Sequence, residues 1–387
     1  MINSKTPFIL HEPWFNAPKG SLHYYPPLFH WILVLFSLGG TLDMRQLAVL
    51  FQIIFYPLAL LTTYHLVSYV ENKETGFIAV VVLTSYFPFF GRTHLPIPEA
   101  LQHILIPLAF LTYLKSKDKL CGIILAMLLM NHIYDSLLIL SAIFTHWFVY
   151  RRESFNMRNL LLISSLGLIF QLHGIYGHMY IHHNQPWLTN PLPGISYRSY
   201  LAVASSSIML ILGSCCILRK SLSKSNNIFI FWFLFTLPIF WKMTHRFPAY
   251  AGAPLAVLAA ILIVKLKNEG KNFYGVYLPI IVGLLVANAC ISYLAFPHIH
   301  DFYKPGVDEN EKLALLWIKQ NIPAEQIIQL GPRRSFYDGY RIAYFTGHKT
   351  TESENIAGYL YCVHPVEPPG NWTLIKGYGL YRIYTKA

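Results

Sequence analysis

Long apolar runs alternate with short polar segments along this chain. A helix needs roughly 20 apolar residues to cross the hydrocarbon layer of a membrane. Runs of this kind predict spans at 46–70, 76–91, 99–115, 159–182, 200–219, 228–243, 249–267 and 275–297. The run 119–150 is long enough for two short spans with a hinge near Asn131–Asp135. The pattern predicts an all-α multispanning membrane protein with about ten transmembrane helices.

Two parts of the chain depart from this pattern. The run 28–41 is short and follows Pro26-Pro27, so we interpret it as a helix in or near the membrane interface. The tail predicts a helix in "DENEKLALLWIKQNIP", strands in "EQIIQLG" and "YRIAYFTG", and a hairpin in "WTLIKGYGLYRIYTK" that turns at Gly377 or Gly379. We therefore expect an external loop over 1–45, a transmembrane module over 46–297 and a small α/β domain over 298–387.

The charges give the predicted spans a direction. Only 12% of the residues are charged, against about 25% in soluble domains. The net charge of +12 comes from short basic clusters between apolar runs, at 115–119, 151–158, 219–224 and 265–271. This distribution is typical of cytoplasmic loops and not of nucleic-acid binding. Placing the clusters inside puts 1–45, 92–98, 183–199, 244–248 and the tail on the extracytoplasmic side.

The predicted outer segments hold the unusual chemistry. Glu99, in "GRTHLPIPEA", starts a helix where an acid complements the positive end of the dipole, and Arg246, in "HRFPAY", can be an interface anchor. An acid at a membrane surface is nevertheless a functional candidate by default. His103 lies one turn after Glu99, on the same helix face. The "NHIYD" segment at 131–135 is interpreted as a polar bend, with Asp135 as a residue that can face a cavity.

Four motifs, in this order, resemble the catalytic subunits of oligosaccharyltransferases, and the segment that follows the first motif resembles them as well. "HEPWFN" resembles the family's "DPWFN", and "HYYPPLFHWILVL" is similar to the amphipathic external helix that follows it. "GRTHLPIPEA" resembles the segment that re-enters the membrane with a metal-binding acid, and "HRFPAY" the arginine segment that meets the lipid phosphate. "SFYDGYRIAYFTGHKTTESEN" is similar to the acceptor-recognition motif "WWDYG". The wider class is the GT-C membrane glycosyltransferases, which use polyprenyl-phosphate donors.

The resemblance implies a role for each matched residue. It makes Glu12 and Glu99 the catalytic acids and the ligands of a divalent cation, Mn²⁺ or Mg²⁺, and the spacing of His103 from Glu99 adds this histidine to the predicted metal site. Hard oxygen ligands suit both ions. Arg246 and Arg92 would bind the lipid phosphate, which arginine can hold with two donors. The acceptor, a protein or a glycan, would meet Tyr337 and Asp338.

The chain also departs from the family pattern. The first acid is Glu instead of Asp, the "D-N-E" site is reduced to Pro98-Glu99, and both tryptophans of the acceptor motif are missing. The family's first transmembrane helix has no counterpart, so we expect a truncated or fragmentary version. We predict transfer of a sugar or oligosaccharide from a polyprenyl-phosphate or pyrophosphate carrier, by a metal-dependent inverting mechanism.

Two other functions stay open at this point. One is a catalytically inactive relative that binds the lipid carrier or serves as a subunit. The other, less favoured, is a transporter or flippase, because transporters show internal repeats and helices broken at mid-membrane. No internal repeat is visible, and the acids lie at the predicted outer surface.

Overall fold

A computed structural model describes residues 11–12, 21–22, 27–37, 44–93, 97–151, 153–184, 197–218, 223–242, 246–270, 272–299, 309–331, 342–343, 345–351, 357–363, 372–378 and 380–386. The helices are α1 (Pro27–Phe36), α2 (Met44–Val70), α3 (Lys73–Thr84), α4 (Phe87–Thr93), α5 (Pro98–Leu114), α6 (Asp118–Asn131), α7 (Ile133–Tyr150), α8 (Met157–Asn184), α9 (Tyr197–Leu218), α10 (Asn227–Lys242), α11 (Phe247–Glu269), α12 (Leu278–Ile299) and α13 (Glu309–Asn321). The strands are β1 (His11–Glu12), β2 (Ser21–Leu22), β3 (Ile327–Leu330), β4 (Lys349–Thr351), β5 (Tyr359–Val363), β6 (Trp372–Tyr378) and β7 (Tyr381–Lys386).

The chain divides into two compact units. One takes Asn3–Tyr24 and Lys304–Ala387, and the other takes Tyr25–Tyr303. The second unit is the helical one and contains every described member of the candidate site.

Most of the predicted spans are helices in the structure. The hinge predicted within 119–150 is also present, because His132 adopts an extended conformation (φ −162°, ψ 109°) between α6 and α7. The predicted span 76–91 is wrong as a single helix. It breaks near Ser85, and α3 and α4 meet at an 85° bend. In a continuous helix Pro88 would lack the N–H that bonds to the carbonyl of Thr84, and its ring would clash with that carbonyl, which explains why α3 ends here and α4 starts in a new direction.

Helix α11 forms the centre of the bundle. Its apolar window is completely buried, and it packs against α3, α4, α9 and α10. The helix is rich in small residues, which let neighbouring backbones approach closely. A Cβ atom on Gly252 would lie 2.7 Å from the ring of Tyr86, so glycine is required at this contact.

The outer surface of the bundle is apolar. Large side chains with more than half of their surface exposed include Ile53, Phe77, Phe148 and Leu172. Among the described residues, three helices are long and apolar enough to cross a membrane, at Val49–Val70, Phe247–Glu269 and Phe273–Ile291. The bent pair of α3 and α4 makes a fourth if it counts as one span, and four shorter apolar helices accompany them. A surface of this kind suits lipid contact.

A five-stranded sheet forms the core of the C-terminal domain, in the order β4-β3-β5-β7-β6. Strand β3 is parallel to β4 and β5, and β7 is antiparallel to β5 and β6. The apolar face of α13 covers the sheet through Ala314, Leu315 and Ile318. The predicted helix and hairpin are present. The turn falls between Tyr378 and Tyr381, and Gly377 lies within β6.

The strand predicted in "YRIAYFTG" is wrong. Residues 342–343 and 345–346 are helical, and Gly347 N donates to Ala343 O at 2.9 Å. Ile342, Ala343 and Thr346 are buried, which is the i, i+1, i+4 spacing of one helix face. Gly347 has φ +79° and ends the turn, as glycine commonly does after a helix.

Candidate active site

Glu99 occupies the first turn of α5 and is buried, with 6% of its surface exposed. Pro98 precedes it in that turn, where the missing N–H of proline costs no helical hydrogen bond. Asn131, the last residue of α6, donates from Nδ2 to Pro98 O at 2.6 Å. The start of α5 is therefore tied to the end of α6, which fixes the position of the carboxylate.

Two arginines from different helices meet the same oxygen of Glu99. Arg246 is the N-cap of α11, and its Nη1 lies 2.9 Å from Glu99 Oε1. Arg92 is in the last turn of α4, and its Nη1 lies 3.8 Å from that oxygen. The bend between α3 and α4 brings Arg92 to this point. Three residues predicted from two motifs, Arg92 and Glu99 from one and Arg246 from the other, are thus close together in the structure.

A second group of polar residues contacts Arg246 from the α6–α7 hinge. His132 Nε2 lies 3.1 Å from Arg246 Nη1, and His132 Nδ1 lies 3.0 Å from Asp135 Oδ2. The Tyr250 hydroxyl contacts the Asp135 carboxylate and lies 2.6 Å from Gln102 Oε1. All of these side chains belong to the helical unit.

His103 lies beside this cluster without an ion pair to it among the described residues. It is 4% exposed, and its ring packs 4.9 Å from Phe89 and 5.0 Å from Tyr250, measured between ring centroids. Its Nε2 is buried and has no hydrogen-bond partner within the part of the chain that the structure describes. His103 lies one turn after Glu99 in α5, as the sequence predicts. The role of His103 as a metal ligand stays a prediction.

The charges of the cluster balance. The cluster contains two guanidinium groups and two carboxylates: both guanidinium groups lie beside Glu99, and Asp135 lies beside His132. Buried charges are stable when they are paired and hydrogen-bonded, and removing one partner is costly. A negatively charged phosphate can replace a carboxylate beside an arginine, because guanidinium groups bind both with the same geometry. The cluster can therefore bind an anion.

The predicted cation does not fit the described surroundings of Glu99. An ion on Oε1 would face two guanidinium groups, both within 4 Å of that oxygen. Among the described residues, no group of three or more His, Cys, Asp or Glu side chains is arranged to hold a metal. The structure gives the backbone of Glu12, in β1 of the other unit, and its side chain lies outside the described part. The cation set of Glu12, Glu99 and His103 stays a prediction.

The predicted acceptor residues, Tyr337 and Asp338, lie outside the described residues. They follow β3, which ends at Leu330, and precede the helical turn at 342–346. Their role also stays a prediction.

Sequence reasoning missed three members of the cluster. His132 was part of a segment interpreted as a polar bend, and neither Gln102 nor Tyr250 was singled out. The sequence could have predicted that Tyr250 belongs to the site, because it lies four residues after Arg246 and positions i and i+4 share a helix face. Asp135 was noted as able to face a cavity, and it does contact the cluster.

At the sequence level, no protein-family model and no curated protein matches this chain. Solved structures do match. The archaeal oligosaccharyltransferase AglB from Archaeoglobus fulgidus, in complex with an inhibitory peptide and a dolichol-phosphate, superposes with a TM-score of 0.67 at 14% identity. The match covers 92% of this chain and 59% of that one, so the chain spans about three fifths of the length of AglB. The apo form gives a TM-score of 0.65 at 15% identity, over 92% and 60% of the two chains.

A second membrane glycosyltransferase has the same fold. ArnT from Cupriavidus metallidurans, bound to undecaprenyl phosphate, superposes with a TM-score of 0.60 at 10% identity. This match covers 94% of the present chain and 88% of ArnT. The fold class predicted from the sequence is confirmed by both likenesses. The chain is an integral membrane protein with the GT-C fold that AglB and ArnT share.

Proposed function

We propose that this chain transfers a sugar or oligosaccharide from a polyprenyl-phosphate or pyrophosphate carrier to an acceptor on the extracytoplasmic side of a membrane. The observation that carries the proposal is the pair of arginines, Arg246 and Arg92, around Glu99 in a buried site. Two solved structures of the same fold hold a polyprenyl phosphate, dolichol-phosphate in AglB and undecaprenyl phosphate in ArnT. The chemistry of the site and these ligands agree.

The proposed reaction requires positively charged groups beside the leaving phosphate. The bond between the sugar C1 and the phosphate oxygen breaks, and the phosphate leaves with the electron pair. A bond forms between C1 and an oxygen or nitrogen of the acceptor, whose proton passes to a base. Negative charge therefore develops on the leaving phosphate, and fixed positive groups stabilise it. In this proposal Arg246 and Arg92 supply those groups.

Glu99 has a positioning role for the arginines. Its carboxylate holds both guanidinium groups before the donor binds, and its negative charge offsets one of their two positive charges. Preorganised groups need no rearrangement at the moment of reaction, which is why they stabilise developing charge well. Glu12 is the carboxylate that would receive the acceptor's proton as a general base.

The proposal is tested by the consumption of a labelled donor. The full chain in lipid nanodiscs is mixed with a polyprenyl-phosphate sugar or its pyrophosphate counterpart, together with a sequon peptide. Wild type is compared with Arg246→Gln, and Arg158→Gln, at an exposed position in the first turn of α8, is the matched control. We expect wild type and the control to consume the donor and Arg246→Gln to lose activity.

The outcomes separate the alternative functions. Labelled peptide establishes transfer to protein, and donor consumption without peptide labelling points to another acceptor. Donor that binds without being consumed supports the inactive, carrier-binding relative. The proposal is wrong if wild type neither consumes nor binds the donor, or if the Arg158→Gln control loses as much activity as Arg246→Gln.

A further inference from the structure

The environment of Arg246 contains a chain of three close contacts. Asp135 Oδ2 lies 3.0 Å from His132 Nδ1, His132 Nε2 lies 3.1 Å from Arg246 Nη1, and that Nη1 lies 2.9 Å from Glu99 Oε1. The chain runs from one carboxylate to the other through an imidazole and a guanidinium group. Both carboxylates are buried, with side-chain exposures of 4% and 8%.

The contacts define which nitrogen of His132 carries the proton. An arginine has only donors, so the imidazole nitrogen that faces Nη1 has to be an acceptor. A proton on Nε2 would put two donors opposite each other at 3.1 Å. Nδ1 therefore carries the proton of the neutral ring, and it lies 3.0 Å from Asp135 Oδ2 in an ion-pair contact. The negative charge of Asp135 beside Nδ1 favours this tautomer.

The backbone holds the imidazole in place as well. His132 is the single residue between α6 and α7, and its backbone is extended there. Gln102 Nε2 donates to His132 O at 3.1 Å, and Tyr250 contacts the Asp135 carboxylate. Contacts from α5 and α11 thus fix the hinge and the carboxylate behind the ring.

We infer that His132 is a positioning residue for the lipid phosphate. Oriented by Asp135, it accepts one hydrogen of Arg246 Nη1, while Glu99 takes the other. With both hydrogens of Nη1 directed, the plane of the guanidinium group is fixed before the phosphate arrives. This inference rests on the proposed binding of a polyprenyl phosphate at Arg246. It assigns no contact between His132 and the phosphate itself.

A double-mutant cycle tests the inference. Binding of polyprenyl phosphate to the full chain in nanodiscs is measured for wild type, His132→Phe, Arg246→Gln and the double variant. We expect His132→Phe to weaken binding about tenfold in the wild-type background, the size of one lost hydrogen bond to a charged group. In the Arg246→Gln background it should have no further effect, because His132 acts only through Arg246. Additive losses would overturn the inference.

Two further measurements make the result independent of folding and of the proposed function. His132→Gln keeps a side-chain acceptor and should retain most of the binding, whereas a simple packing role would make it as harmful as His132→Phe. The second readout is ¹⁵N NMR of the histidine-labelled chain, with the His132 signal identified by its loss in His132→Gln. We expect a neutral ring protonated at Nδ1. A ring protonated at Nε2 could not accept a hydrogen bond from Arg246 and would contradict the positioning role of His132.

The two failures look different. If wild type does not bind polyprenyl phosphate, the proposed function is wrong. The tautomer of His132 then decides by itself whether the imidazole accepts a hydrogen bond from Arg246. If wild type binds and the losses of affinity in the two single variants add in the double variant, the positioning role of His132 is wrong and the proposed function stands.

Discussion

The guanidinium group of Arg246 lies 2.9 Å from the carboxylate of Glu99, and this contact joins the N-cap of α11 to the first turn of α5. The two residues come from distant parts of the chain and from two motifs that each have an ordinary interpretation. Together with Arg92 they form a charge-paired centre in a helical bundle whose buried core is otherwise mostly apolar. Four predictions follow from the geometry of this centre and of the bundle around it.

Arg246→Lys should weaken the binding of polyprenyl phosphate by about tenfold to a hundredfold. Lysine keeps the charge but presents a single ammonium group, so the paired donors of the planar guanidinium group are lost. A hydrogen bond to a charged group is worth about 1.5–3 kcal/mol, which corresponds to this range. The measurement is a binding titration in nanodiscs. Arg158→Lys, at an exposed position, should bind as wild type does, and equal weakening in both variants would argue against a specific role for Arg246.

Glu99→Gln should lower thermal stability, because it leaves the buried guanidinium group of Arg92 and the partly buried one of Arg246 without this carboxylate. Removing one partner of a buried ion pair costs about 3–5 kcal/mol. Added polyprenyl phosphate should restore part of the loss, since its phosphate supplies the missing negative charge. The ligand-induced rise in melting temperature is then larger for Glu99→Gln than for wild type.

Glu74→Gln is the control for that experiment. Its carboxylate also pairs with a cation, Lys267, but the two side chains are 45% and 35% exposed. Exposed ion pairs contribute little to stability. We expect a melting temperature equal to that of wild type and the same rise on adding lipid. A rise in Glu99→Gln no larger than in this control would contradict the exchange of carboxylate for phosphate.

Chelation should leave the binding of polyprenyl phosphate unchanged within about twofold. In the proposed site the phosphate meets arginine side chains, whose interaction with phosphate requires no cation. The titration is repeated with a chelator and with Mn²⁺. A tenfold loss of affinity under chelation would show that a cation bridges the phosphate. Sugar transfer measured on the same samples tests the metal dependence predicted from the family resemblance.

Gly167→Ala should destabilise the bundle by about 1–3 kcal/mol, the usual cost of overpacking. A Cβ atom on Gly167 would lie 2.5 Å from the backbone oxygen of Ala126, so α6 and α8 would have to separate. Gly283→Ala is the matched control, because nothing lies within 4 Å of its Cβ position. Melting temperatures in detergent measure both. Equal effects of the two substitutions would show that the close contact of α6 and α8 carries no stability.

Much of the helical architecture is predictable from the sequence, and the reason is physical. In a membrane every backbone polar group has to be satisfied within the segment, so a long apolar run becomes a helix. The hinge at His132 could be anticipated from polar residues within an apolar run. The break between α3 and α4 was missed, because hydropathy is continuous there and only Pro88 marks the change of direction.

The candidate site was predictable only in part. Glu99, Arg92 and Arg246 stand out because charges are rare in this chain. Gln102 and Tyr250 do not, because their role depends on which helix faces meet, and that is a property of packing. The "YRIAYFTG" segment shows the same limit, since alternating apolar residues fit a strand and one helical turn equally well until Gly347 is considered.

The position of α11 has a consequence for how the protein is made. Helices α3, α4, α9 and α10, which surround it, all precede it in the chain. The ribosome therefore delivers these neighbours before the helix that occupies the space between them. Since Arg246 caps the start of α11, Glu99 meets this cation only once that late helix has been inserted. Assembly of the candidate site and closure of the bundle are thus one step of biogenesis.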